Sequence, residues 1–254
     1  MHAIHPTDFP PLLHAADRRR LGSHQLRLLG VDDASAVLQL RDEVLRQLEH
    51  PDLYVREADE TAFVQQHLAG HAGCRGETIG VYDDGRLVAY AMLGLPGSAD
   101  ADHLGQHIPL GDRSLDDVAQ LASCMVRPSH RGHGLQRTLL AARFSLAQAQ
   151  GRPVCVAMVS LHNHASRHNL MRAGLRIVHV GEVLGLRRQL VALDLGQPWH
   201  YRQDGAQLVA SADYDAQRAL TTTGWCGVAT VEGPDPGMLV FAQALAAAGH
   251  AFPR

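Results

Sequence analysis

The sequence predicts a mixed α/β fold in layers, and three observations predict it. Short apolar runs rich in Val, Ile and Tyr alternate with segments whose apolar residues recur at helical spacing. Turns rich in Asp and Gly, such as Asp83-Asp84-Gly85, punctuate the runs. The elements follow in the order β-α-α-β-β-β-α-β-α-β-β, which places helices against a central sheet.

Residues 1–25 mix Pro, His and an Arg triplet without a sustained period and read as a flexible lead-in. The apolar run 26–30 precedes Asp32 and Asp33, which can cap a helix through Ala36, Val37, Leu40, Val44 and Leu48. A second amphipathic segment covers 61–68. Residues 77–82 and 87–95, joined by the Asp-Asp-Gly turn, form a hairpin signal. The polar stretch 96–113 reads as a surface loop that could border a substrate site. Residues 118–126 read as one strand, 131–150 as a helix opened by glycines, 153–160 as an apolar strand, and 163–173 as a helix ended by Gly174. Strands at 175–183 and 188–195 complete the main domain, 26–195.

Beyond Gly196 come a short run at 207–210, a helix at 213–222, a strand at 226–231 and a last apolar segment at 238–247. This 196–254 portion is a small carboxy-terminal α+β extension, too small to bury a core of its own. Its apolar segments must cover something, either the edge of the core sheet beyond Leu195 or a second copy of the chain as a homodimer.

With 254 residues, 46% hydrophobic and 19% charged, the chain can bury a sizeable core. A formal charge of −3 gives no global reason to bind nucleic acid. No signal-peptide pattern and no apolar run near 20 residues is present, so the expectation is a cytoplasmic protein with no membrane partner. Cys74, Cys124, Cys155 and Cys226 form no CxxC pair and read as free thiols. The 17 histidines fit no metal-ligand spacing, so no metal is expected. Lysine is absent, which a GC-rich genome explains more simply than avoidance of self-acylation.

The segment that carries chemistry runs from Cys124 through Arg127, Pro128, Arg131, Gly132, His133, Gly134, Leu135 and Gln136 into a helix. An apolar strand feeding a Gly-rich loop that opens a helix leaves several backbone N–H groups pointing one way, which is an arrangement for an anion. Gly132 and Gly134 allow close approach, and Arg127, Arg131, His133 and Arg137 add positive potential. After the next strand comes Asn163, followed by Ser166, Asn169 and Gly174; Asn163 and Asn169 are the only asparagines in the chain.

At these residues the chain resembles the GNAT superfamily of acyl-CoA N-acyltransferases. The Arg131-x-x-Gly134-x-Gln136 loop matches its Q/R-x-x-G-x-G/A signature except at Gln136, and the 163–174 helix resembles its N-x-x-A/S helix. The resemblance implies a central splayed sheet flanked by helices, with acetyl-CoA as cosubstrate. It implies Cys124, Met125 and Val126 for the pantetheine, Arg131 to Gln136 for the pyrophosphate, and Asn163 with Asn169 for the outer CoA. The acceptor would be a primary amine of a small molecule or peptide, acetylated by direct attack.

The family often places a tyrosine acid seven positions after the motif asparagine, but this position is Leu170, and the fourth-strand positions that often hold Glu or His are Gln120 and Ala122. The remaining catalytic candidates are His162 and the aspartates Asp116 and Asp117, with a water chain as an alternative. The missing groups also motivate a second reading, a non-catalytic CoA-binding regulatory module.

Overall fold

The computed structural model describes residues 23–70, 76–197, 199–202, 204–231 and 237–245. Most of the expected lead-in, Cys74 and the last two residues of the 238–247 segment lie outside them. The chain divides into two compact units, Met1–Pro96 with Ala119–Arg152, and Gly97–Val118 with Pro153–Arg254.

In the first unit β1 (Gln25–Leu29), β2 (Gly76–Asp83) and β3 (Arg86–Gly94) form an antiparallel meander. Asp84 (φ 45°) and Gly85 (φ 76°) supply the two left-handed residues of the expected tight hairpin. The strand predicted over 118–126 is broken into β4 (Val118–Gln120) and β5 (Cys124–Val126), both reaching the free edge of β3. The Ala122 amide folds back onto the Gln120 carbonyl at 2.9 Å, and pairing resumes where the Ser123 carbonyl accepts from Met92 N at 2.8 Å. The break re-aims Ser123, with consequences described below.

Helices α1 (Ala34–Arg46) and α2 (Glu60–Ala69) pack on β3 and β2, and Val37, Leu40, Val44 and Val64 join Tyr90, Met92 and Met125 in one core. Alternation along β3 turns Ala89, Ala91 and Leu93 to the other face, where α3 (Leu135–Ala149) packs. Asp33 does not cap α1. Its carboxylate closes the preceding 3-10 turn by accepting from Gly30 N at 3.0 Å, and it also accepts from Arg27 (2.9 and 2.5 Å) and Tyr82 Oη (2.9 Å). Burial works against the charge of Asp33, but those bonds outweigh it and hold the carboxyl below its ordinary range.

In the second unit β6 (Val154–Ser160) and β7 (Arg176–Val183) flank β8 (Leu186–Asp194), all antiparallel, and α4 (His164–Arg172) connects β6 to β7. The carboxy-terminal residues continue this sheet as β9 (Gln207–Ala210), β10 (Trp225–Thr230) and β11 (Met238–Gln243), with α5 (Tyr214–Thr222) packed on β7 and β10. The attachment edge differs from the expected one. β8 is interior, so β10 joins β7 instead, at Gly227↔Ile177. A Cβ at Gly227 would lie 2.7 Å from Ile177 Cδ1, so glycine lets the strands approach.

The 96–113 stretch is not purely a surface loop. Leu104 and Ile108 enter a core with Val118, Val154, Val156, Val178 and Cys226. His103 is fully buried: its Nδ1 accepts from Gly105 N at 3.0 Å, so Nε2 carries the proton and donates to the Leu115 carbonyl at 3.1 Å. Arg113 donates twice to Asp194, at 2.8 and 3.1 Å. Among the described residues no helix is long and apolar enough to cross a membrane.

Candidate active site

β5 runs through Arg127 into a 3-10 turn at Pro128–His130, then into a loop where Gly132 (φ 82°) and Gly134 (φ 78°) both adopt the left-handed conformation. The Gly134 carbonyl turns into α3 and accepts from Arg137 N (3.0 Å) and Thr138 N (3.1 Å). The amides of Gly132, His133, Gly134 and Leu135 donate to no acceptor among the described residues. Four unpaired N–H donors at the positive end of a 15-residue helix suit an anion. A Cβ at Gly132 would meet nothing within 4 Å, so the backbone conformation rather than crowding calls for glycine there.

Arg131 and His133 are exposed at this loop, Gln136 and Arg137 are half-buried, and Arg131 Nε reaches the Val126 carbonyl at 3.4 Å. Arg127 does not add potential to this loop. It is buried, paired with Glu43, and donates to the Leu87 carbonyl at 3.2 Å, so its charge is spent inside the core. Cys124, Met125 and Val126 are contiguous with the loop. The Cys124 thiol is half-buried, and burial pushes its pKa up against the opposing pull of Arg143.

In the second unit Asn163 is the N-cap of α4, its Oδ1 accepting from Ser166 N at 3.0 Å, and Asn169 is half-buried further along the same helix. Arg167 lies beneath them, fully buried, donating to the Leu161 carbonyl at 3.0 Å and Gln189 Oε1 at 3.3 Å; burial pushes its pKa down to about 10. His162 is exposed after β6. Asp117 Oδ2 accepts from Ser114 N (2.7 Å) and Ser114 Oγ (3.0 Å), which closes the 3-10 turn leading into β4. Leu170, where the resemblance would put a tyrosine, is buried.

A cluster that sequence reasoning missed lies in the first unit. Arg41 of α1 is fully buried, and its Nε donates to Glu60. Its Nη1 reaches Tyr54 Oη at 2.7 Å, Tyr90 Oη at 3.0 Å and Ser123 Oγ at 3.0 Å. Tyr54 Oη donates to Ser123 Oγ at 2.9 Å, and Tyr90 Oη lies 3.0 Å from the same oxygen. The guanidinium also stands over the Tyr54 and Phe63 rings, 4.9 and 5.0 Å from their centroids. Burial opposes the charge of Arg41, yet Tyr90, Tyr54 and Glu60 more than offset it and keep the group protonated. A signal was present in the sequence, since Arg41 sits among Val37, Leu40, Val44 and Leu48 on the apolar stripe of its helix.

Residues 42–175, more than half of the chain, match the family model described as "Acetyltransferase (GNAT) family". The chain belongs to the GNAT acetyltransferase family. Membership makes it an acyl-CoA N-acyltransferase. Among solved structures, an N-acetyltransferase from Staphylococcus aureus Mu50 is 17% identical with a TM-score of 0.50, the match covering 68% of this chain and 99% of that one. The PaiA N-acetyltransferase from Thermoplasma acidophilum, solved in complex with coenzyme A, is 12% identical with a TM-score of 0.51 and covers 68% and 99%. At these identities the likeness establishes the GNAT fold. No curated protein matches the sequence.

Proposed function

We propose that this GNAT enzyme moves the acetyl group of acetyl-CoA to a primary amine of a small molecule or peptide. The observation that carries the reading is the cradle of amides from Gly132 to Leu135, which suits a pyrophosphate in charge, donor count and access. Arg131, His133 and Gln136 border it, Cys124 to Val126 take the pantetheine, and Asn163 and Asn169 are further CoA contacts. The amine nitrogen attacks the thioester carbon, the C–N bond forms, the C–S bond breaks and its electron pair leaves on sulfur. The raised pKa of Cys124 supports direct attack, because a protonated thiol is a poor nucleophile for an acyl-enzyme. Of the two side chains offered for taking up the amine proton, His162 is exposed, whereas Asp117 is engaged by Ser114.

A panel of small amines and peptide amino termini incubated with acetyl-CoA tests the reading through release of free thiol. The expected result is amine-dependent release with at least one class. CoA binding without release across the whole panel would instead favour a CoA-binding regulatory module.

A further inference from the structure

The hydroxyl cluster around Arg41 has a proton count that can be closed in only one way. Tyr54 donates to Ser123 Oγ. Tyr90 is fully buried, and Ser123 Oγ is the one acceptor within reach of its hydroxyl among the described residues, so Tyr90 donates there as well. Burial holds both phenols above their ordinary pKa, so both keep their protons. Arg41 has no acceptor to offer, and the two N–H groups of its Nη1 go to the Tyr54 and Tyr90 oxygens, with Ser123 Oγ a close neighbour at 3.0 Å. Both lone pairs of Ser123 are thus occupied by phenol protons. Its own proton can go to neither tyrosine, and no other described residue accepts it.

Ser123 is half-exposed, so this O–H is left for a partner from outside the cluster. A second donor in the cluster is also unmet, since Arg41 Nη2 is buried with no hydrogen-bond partner among the described residues. The cluster therefore offers donors and no spare acceptor. Its natural complement is an electron-rich oxygen or sulfur, and each bond arriving at Ser123 Oγ polarises the outgoing O–H further.

We infer that Ser123, backed by Arg41, Tyr54 and Tyr90, is the hydrogen-bond donor that stabilises the negative charge developing on the thioester during acetyl transfer. The inference rests on the acetyl-transfer reading, which lays the thioester end of the cosubstrate along the strand beginning at Cys124, the residue after Ser123. Ser123 stands at the end of the break between β4 and β5, where its carbonyl pairs with Met92 N while its side chain meets this cluster. As the amine adds, charge builds on the carbonyl oxygen and then on the departing sulfur. The Ser123 hydroxyl keeps its proton throughout, the amine proton leaves to the base of the proposed reaction or to solvent, and the thiolate takes one from solvent. The device offers the departing sulfur a donor, which Leu170, where the resemblance would put a tyrosine acid, does not.

The test is steady-state kinetics with acetyl-CoA and the best amine of the panel, alongside calorimetric titration of CoA. Ser123→Ala is expected to lower kcat about 100-fold, the usual result of removing one preorganised donor, with CoA affinity close to wild type. Ser123→Thr, which restores a hydroxyl, should recover most of the rate. Tyr54→Phe keeps Ser123 but removes one polarising bond, so its kcat should fall by a smaller factor; this variant decides the matter if Ser123→Ala does not fold. An acetyl thioester with a more acidic leaving thiol identifies the atom served. A smaller Ser123→Ala defect with that donor points to sulfur, and an unchanged defect points to the carbonyl oxygen. Wild-type kcat in Ser123→Ala would overturn the inference. So would a defect confined to the KM of acceptors that carry a carboxylate, since the donors would then read the acceptor. A wild-type enzyme that releases no thiol sinks the acetyl-transfer reading itself, and this inference with it.

Discussion

Replacing Gly134 by Asp and by Asn separates the charge of the proposed phosphate cradle from its shape. Gly134 is the N-cap of α3 at φ 78°, a conformation that costs most L-residues about 1–2 kcal/mol. Asn and Asp tolerate it best, and both are favoured N-caps, so each variant should lie within about 1 kcal/mol of wild type. For a chain of this size that is a melting shift of about 2–4 °C. The Asp variant places a carboxylate where the phosphates are proposed to sit. Two unit charges about 5 Å apart at an effective dielectric of about 20 repel by about 3 kcal/mol, or about 100-fold in Kd. Thermal melts of both variants, with calorimetric titration of CoA, give the readout. CoA should bind the Asn variant with a modest loss and the Asp variant at least 100-fold more weakly than the Asn variant. Equal affinities in two well-folded variants would show that no phosphate approaches this loop.

Three further outcomes are expected. Cys124→Ala should retain acetyl transfer, and intact-protein mass spectrometry of wild type with acetyl-CoA should show no acylated cysteine; loss of turnover together with a trapped acyl-Cys124 would refute direct attack. His67 is buried, with Nε2 unpartnered among the described residues and its pKa pushed down to about 4 by burial, against 6.5 unfolded. The unfolded state therefore binds the proton first, so stability is complete above about pH 6.5 and falls as the pH drops toward 4, by about 2 kcal/mol at pH 5. Urea melts at pH 7.5 and pH 5 should show this loss in wild type and a smaller one in His67→Phe; equal losses would mean that His67 is not the group responsible. Truncation after Gly196 removes Leu239, Phe241, Ala242 and Cys226 from burial and opens the β7 edge at Ile177. The shortened chain should aggregate in light scattering and melt lower, and unchanged solubility and Tm would make the extension a passive tail.

The parts of this molecule legible in the sequence are those that short-range chemistry fixes. The Asp84-Gly85 hairpin, the paired glycines ahead of α3 and the start of α4 at Asn163 depend on neighbours within a few residues, so a one-dimensional reading reaches them. Others failed for a common reason. The break in the 118–126 strand lies at Ala122, whose amide turns back onto the Gln120 carbonyl, and nothing in the local apolar run announces it. Asp33 looked like a helix cap because its best partners, Arg27 and Tyr82, are brought in by pairing of β1 with β2. Arg127 looked like a phosphate ligand until the fold set it against Glu43 of α1. The extension found the β7 edge because β8, the last strand before it, returns into the middle of its sheet.

The Arg41 cluster is the extreme of that class. Its members come from positions 41, 54, 60, 90 and 123, five separate stretches of the first unit, and none belongs to a motif. What the sequence did hold was an arginine in the buried stripe of α1, where a charge is costly unless the fold supplies partners. Such a residue is informative because it is locally unfavourable. Glu60 neutralises Arg41, and two phenol oxygens accept from its Nη1, yet among the described residues Nη2 and the Ser123 proton remain unmet. A purely structural ion pair has no need of a surplus of donors, and apolar residues would fill the same volume without the desolvation penalty. A surplus of donors is what a site needs if its partner acquires negative charge only in the transition state. Stabilisation reserved for that moment raises kcat and leaves cosubstrate affinity alone, which is why the kcat of Ser123→Ala, set against its CoA affinity, decides between a structural and a catalytic cluster.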